Sequence, residues 1–205
     1  MSEVIKELRN PNTETYRQFK ELVTSNYFFW TNYPSTCGDL YNQVDGRVVD
    51  LGEDDYAFFS HSFLARPRTR TKNFFPYVES EYASLASHVV GEICVANNLK
   101  LLCIYRMNGN LVVYQGEGRR GPLHTDHEDD HKGVSFPHKI MLIYLTSFTD
   151  GATIVQTKDG VEHYSEPAED KIVTFDGSLR HTAYAPSGLN EQRIVLNATY
   201  FAVEQ

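Results

Sequence analysis

The stretch 139-KIMLIYLTSFTDGATIVQTKDGVEHYS-165 decides the fold class. It holds three short runs of β-branched and aromatic residues, KIMLIYLTSF, ATIVQT and VEHYS, interrupted by turn residues that include Asp159-Gly160. Runs of this length between turn residues read as strands, and Asp-Gly between two of them is a hairpin signal. The same texture continues on both sides. Upstream lie LLCIYRM (101–107) and LVVYQ (111–115), separated by a second hairpin signal, Asn108-Gly109. Downstream lie KIVTF (171–175) and RIVLNATYF (193–201). Short strands without helices between them predict an antiparallel sandwich or jelly roll over 101–205.

Further outward, residues 1–100 read as mainly helical and irregular. Tyr16, Phe19 and Val23 recur at helical spacing behind Asn12 or Thr13, either of which can cap a helix. A second helix is predicted in 78-VESEYASLASHVVGEICVANN-98, where Tyr82, Leu85, Val89 and Ile93 form one apolar stripe and His88 sits at its core edge. The segments 31–46 and 59–76 are rich in turn residues and aromatics and read as loops. Nothing resembles a linker, so a single domain over 1–205 is expected, its helices packed on one face of the sheet.

The composition, 41% hydrophobic and 13% aromatic over 205 residues, supports a packed core and excludes disorder. No apolar run reaches the length of a membrane span, and MSEVIKELRNPNTETY is too polar for a secretory signal, so a cytoplasmic protein is expected. Cys37, Cys94 and Cys103 form no disulfide framework; the last two lie in apolar runs and read as buried small hydrophobes. A net charge of -8 opposes a phosphate backbone, so nucleic acid is not an expected partner. The local basic cluster Arg66, Arg68, Arg70 and Lys72 reads as a solvated loop.

The chemistry concentrates in 124-HTDHEDDH-131. On extended backbone, His124 and Asp126 project to the same side and can reach one ion together. A lone H-x-D is a weak signal. His127, His131 and His138 could form a zinc-like cluster or lie on a polar loop, and the loop is the better reading. The signal sharpens with His181, which follows KIVTF and the turn DGSLR, and with Arg193, twelve residues later at the head of the last strand. Two histidines and one carboxylate on one face of a metal leave the opposite face open, the arrangement of non-haem iron(II) oxygenases. A buried arginine needs an anion, and its planar fork matches a carboxylate.

Over about residues 101–203 these features resemble the Fe(II)/2-oxoglutarate-dependent dioxygenases, and within them the prolyl-4-hydroxylase-like branch. The resemblance is carried by Tyr114-Gln-Gly116-Glu-Gly118 ahead of H-x-D, by the strand LIYLTSFTDGATIV, by PAEDKIVTFDGSLRH before the distal histidine, and by Arg193 with the closing Tyr200-Phe201. The loop after Asp126 and the gap from His181 to Arg193 are both longer than is common in that family. Small stand-alone proteins of this pattern are common in bacteriophages.

The resemblance implies a double-stranded β-helix (α+β, cupin-like) binding Fe(II) through His124, Asp126 and His181, with 2-oxoglutarate and O2 as cosubstrates. Arg193 would pair with the distal carboxylate of 2-oxoglutarate, Tyr144 would place its hydroxyl there, and Tyr114 would approach from the neighbouring strand. Both tyrosines read equally as core residues with satisfied hydroxyls. The implied activity is C–H hydroxylation with release of succinate and CO2, on a prolyl residue of a peptide or protein, or alternatively on a nucleobase or small metabolite. Two further readings stand beside it: a cupin-type metalloenzyme without cosubstrate, and a non-catalytic binding module.

Overall fold

The computed structural model describes residues 3–34, 56–66, 76–126 and 137–205. Cys37, Arg68, Arg70, Lys72, His127, His131 and most of the 31–46 segment lie outside them. The elements are β1 (Lys6–Leu8), α1 (Glu14–Thr24), β2 (Thr31–Tyr33), β3 (Phe58–Ala65), β4 (Tyr77–Val78), α2 (Ala83–Ala96), β5 (Leu99–Val113), β6 (Lys139–Tyr144), β7 (Thr153–Gln156), β8 (Glu162–Ser165), β9 (Ile172–Asp176), β10 (Arg180–Ala183) and β11 (Gln192–Glu204). The larger sheet has the order β1-β9-β6-β11-β5-β3-β2, with β4 on β3, and the smaller has the order β10-β7-β8. The pairings are antiparallel. The architecture is a double-stranded β-helix, or jelly roll, with the helices on the outer face of the larger sheet.

The alternation of side chains along each strand builds two cores. Met107 and Leu111 of β5, Met141 and Ile143 of β6, and Ile194, Leu196 and Ala198 of β11 face outward onto Tyr16, Phe19 and Val23 of α1 and Val89 and Ile93 of α2. The intervening residues Ile140, Leu142, Tyr144, Val173, Phe175 and Val195 face inward and meet Val155 of the smaller sheet. Strands buried on both faces need apolar residues at nearly every position, which explains the unbroken runs KIMLIY and RIVL. Phe19, Ile93 and Ile143 are 0% exposed, and burial of such a side chain stabilises by about 1.5–3 kcal/mol.

Both helices fall where the spacing places them. Thr13 is the cap of α1; its Oγ1 accepts from the Tyr16 amide at 3.1 Å and donates to Glu92 Oε2 of α2 at 2.5 Å. Tyr16 donates to Asp170 Oδ1 at 2.6 Å, and Lys20 pairs with Glu169 and Asp170, so α1 is tied to the β8–β9 turn. Asp159-Gly160 does turn β7 into β8, within the connection 157–161, where the Thr157 amide donates to the Val161 carbonyl and Gly160 takes φ +86°.

Several local expectations are corrected. Asn108-Gly109 is not a turn: β5 runs through it without interruption, and Gly109 lies beneath the Trp30 indole, where a Cβ would come within 3.2 Å of the ring. The glycine serves close approach, not chain reversal. The start of the 59–76 segment is strand, not loop. A register shift between Ser62 and Leu64 breaks the period-two pattern that would have revealed β3. Residues 1–100 therefore contribute strands β1 to β4 and the first two residues of β5 as well as the helices. Cys94 is buried, with its thiol pushed up to about 11 by desolvation, but Cys103 is exposed. Among the described residues its part of β5 pairs with β11 alone, since the ladder to β3 starts at Met107. His88 is exposed, its Nδ1–H donating to the Ser84 carbonyl at 2.8 Å.

Candidate metal centre

His181 is the second residue of β10, in register with Val155, and is 6% exposed. The strand is only four residues long and polar, RHTA, and could not be read from the sequence. His124 stands opposite it in an isolated bridge: its amide donates to the His181 carbonyl at 3.0 Å, and the His181 amide donates back at 2.7 Å. Asp126, two residues on and 8% exposed, completes the cluster. The three candidate ligand atoms lie within 4.8 Å of one another, and Asp126 Oδ1 is 3.7 Å from each Nε2.

The tautomers follow from the carbonyl partners. His124 Nδ1 is 2.9 Å from the Pro122 oxygen and His181 Nδ1 is 3.3 Å from the Leu179 oxygen. A carbonyl only accepts, so each Nδ1 carries a proton, which leaves Nε2 as the nitrogen turned toward Asp126 and available to an ion. Burial of the Asp126 carboxyl opposes its ionisation. The His181 ring, hydrogen bonds from both imidazoles and the Arg106 guanidinium outweigh that effect and hold its pKa well below the usual carboxylate range. Around it, Asn197 Nδ2 donates to Oδ2 at 2.7 Å, Arg106 Nη1 stands 3.4 Å from Oδ1, and Arg66 Nη1 donates to the backbone carbonyl at 2.8 Å. An ionised carboxylate and two imidazole lone pairs on one side are a donor set suited to a divalent transition ion.

Arg193 faces the interior of the same barrel and is 6% exposed. Its Nε donates to the Gly151 carbonyl at 3.1 Å and its Nη2 to Thr153 Oγ1 at 3.0 Å. The guanidinium lies 5.9 Å from the Tyr144 ring centre and 5.8 Å from that of Phe148. Gly151 makes this possible: it holds φ +69°, and a Cβ there would come within 2.7 Å of Phe148. Among the described residues no carboxylate pairs with Arg193. A buried cation lacking a counter-ion is costly unless an anion arrives. The fully buried Tyr144 also donates to Thr153 Oγ1, at 2.8 Å. With both lone pairs of that oxygen engaged, the Thr153 hydroxyl proton remains to donate to an incoming anion.

Arg193 and Asn197 share the inner face of β11, with Val195 between them, and no register shift intervenes before Thr199. At about 3.3 Å per residue their Cα atoms are about 13 Å apart. The carboxylate cluster therefore marks one end of a short interior track and the guanidinium the other. Of the sequence candidates, His124, Asp126 and His181 come together, and Arg193 and Tyr144 form a second group. Tyr114 follows the end of β5, half-buried, and its hydroxyl bonds to none of these residues. His138 is buried before β6, its ring against Gly177, and takes no part in the cluster.

Sequence reasoning missed Arg66, Arg106, Thr153 and Asn197 as site residues. Arg66, which reads in the sequence as part of a solvated loop, donates to the Asp126 backbone carbonyl. A signal existed for Asn197, a polar residue at an inward position of an otherwise apolar strand. For Arg66 there was none.

No protein-family model matches the chain, and no curated protein does. Solved structures do share its fold. An oxidoreductase of the 2OG-Fe(II) oxygenase family from Burkholderia pseudomallei superposes with a TM-score of 0.53 at 13% identity, covering 95% of each chain. A prolyl hydroxylase from Trichoplax adhaerens, in complex with a hypoxia inducible factor peptide fragment, gives 0.53 at 13% identity over 97% of this chain and 83% of that one. The viral collagen prolyl hydroxylase of Paramecium Bursaria Chlorella virus-1, as its 2OG complex, gives 0.52 at 11% identity over 98% of each. At these identities the likeness is one of fold.

Proposed function

We propose that this protein is an iron(II)- and 2-oxoglutarate-dependent oxygenase that hydroxylates a C–H bond and releases succinate and CO2. His124, Asp126 and His181 are the iron ligands in this reading, and a prolyl residue of a peptide or protein is the substrate. The observation that carries it is a His-Asp-His cluster and a buried arginine that has no carboxylate partner among the described residues, both in the interior of one jelly roll. The prolyl assignment draws support from the sequence resemblance and from the peptide-bound prolyl hydroxylase of like fold.

Bound iron(II), with 2-oxoglutarate and dioxygen, supplies the oxidising chemistry. The protein's own part is to bind and orient. The carbonyls of Pro122 and Leu179 fix both imidazoles with Nε2 inward. Asn197 and Arg106 hold Asp126 ionised. Arg193, locked by Gly151 and Thr153, takes the distal carboxylate of the cosubstrate, and the Thr153 hydroxyl, itself held by Tyr144, adds a second donor. Because that end stays clamped throughout, its contribution is positional. Tyr114 is a candidate to approach the cosubstrate from the end of β5. A cupin-type enzyme without cosubstrate has no use for an arginine in this position.

The test is an anaerobic titration with iron(II) and 2-oxoglutarate, followed by the visible metal-to-ligand charge-transfer band. Its appearance only when both are present supports the reading, and its absence with both at saturation rejects it. Succinate formation and a product heavier by one oxygen atom, sought in prolyl peptides first, then test the substrate.

A further inference from the structure

Asn197 carries an anomaly that the iron ligands do not explain. Its Nδ2 donates to Asp126 Oδ2 at 2.7 Å, while its Oδ1 is buried and has no hydrogen-bond partner among the described residues. The amide cannot be turned the other way, because an ionised carboxylate only accepts and requires the NH2 group to face it. The nearest polar neighbour in register, Asn108, is already engaged: its Oδ1 accepts from Arg106 Nε at 3.1 Å and its Nδ2 donates to Ser60 Oγ at 3.4 Å. A buried acceptor without a donor is rare in a native protein and calls for a donor that the described residues do not supply.

We infer that Asn197 is a positioning residue for the metal centre, acting through both ends of its amide. Nδ2 pins Oδ2 of Asp126, so that Oδ1, the oxygen 3.7 Å from both imidazole Nε2 atoms, is the one offered to the ion. Oδ1 of Asn197 accepts a hydrogen bond from water held on the open side of the site. This inference rests on the assignment of His124, Asp126 and His181 as metal ligands.

The test uses manganese(II), a redox-inert probe, on chelator-stripped wild type, Asn197→Leu, Asn197→Thr and His181→Ala, reading manganese affinity and the melting temperature of each metal-free form. Leucine keeps the volume and loses both hydrogen bonds; affinity is expected to fall by about 10-fold or more, the usual cost of losing an outer partner, without a lower metal-free melting temperature. Threonine, whose hydroxyl can donate to Asp126 and still accept, is expected to bind more tightly than leucine. Wild-type affinity in Asn197→Leu overturns the inference while leaving the ligand assignment standing. Failure of the wild type itself to bind manganese overturns the ligand assignment and this inference with it. If the leucine variant does not fold, the threonine variant decides: affinity close to wild type supports the inference, and lost affinity overturns it.

Discussion

His124 and His181 exchange both of their backbone hydrogen bonds, at 3.0 and 2.7 Å, although no regular strand contains His124. The bridge sets the spacing of the two imidazoles through the main chain, before any ion binds. Asp126 then follows by the two-residue repeat of extended backbone. The site is therefore organised by the β-bridge that closes the smaller sheet, and loss of a side chain at either position should leave the backbone arrangement in place.

Removing a ligand should accordingly abolish metal binding without unfolding the protein. His181→Ala is expected to weaken binding of iron(II) or manganese(II) by more than the about 10–100-fold that an outer partner's loss costs. Equilibrium titration beside the circular dichroism melt checks both halves. Undiminished affinity would count against the ligand assignment.

Arg193→Ala should raise the 2-oxoglutarate requirement far more than it weakens iron binding. Truncating one partner of a buried charge pair costs about 2–5 kcal/mol, which is about 30-fold or more in apparent affinity. Arg193→Lys is expected to rescue little, because a lysine cannot reach both the Gly151 carbonyl and the Thr153 hydroxyl as the guanidinium fork does. Steady-state titration of each ligand separates the two effects, and equal loss of both would sink the role.

Tyr144→Phe removes the hydroxyl that holds Thr153 Oγ1 but keeps the ring beside Arg193. A loss of about 0.5–1.5 kcal/mol in stability is expected, the usual net value of one hydrogen bond, with a smaller rise in 2-oxoglutarate requirement than for Arg193→Ala. Denaturant melts and the same titration provide the comparison.

The Asp126 carboxyl has a folded-state pKa well below its unfolded value of about 3.8. Its ionisation thus stabilises the metal-free fold at pH above that value, and the contribution is lost as pH falls through the depressed folded pKa. Asp126→Asn lacks it at every pH. The stability difference between wild type and this variant, measured in chelator, should shrink on acidification from about pH 5 toward about pH 2. A difference independent of pH would contradict the depressed pKa.

Gly109→Val would set a branched side chain against the indole of Trp30, the only tryptophan in the chain. Overpacking of this kind costs about 1–3 kcal/mol. Displacement of the ring should red-shift the tryptophan emission, which makes the fluorescence spectrum a direct readout. An unchanged spectrum with unchanged stability would mean that the contact is not tight.

The sequence by itself determined the strand-rich second half, both helices and the identity of the ligand and arginine candidates. These features are written in short-range terms: β-branched runs between turn residues, apolar spacing of three and four, and an H-x-D triplet whose geometry extended backbone dictates. Tertiary structure alone decided what depends on pairing between distant segments. It made Asn108-Gly109 the middle of a strand, because the Trp30 ring needed a position without a Cβ. It turned 58–65 into β3 despite a bulge that erased the alternation. It brought Arg106 and Asn197 to the Asp126 carboxylate and Arg66 to its backbone carbonyl from three different strands or their ends, and no local pattern in the chain encodes where a neighbouring strand will place a polar side chain.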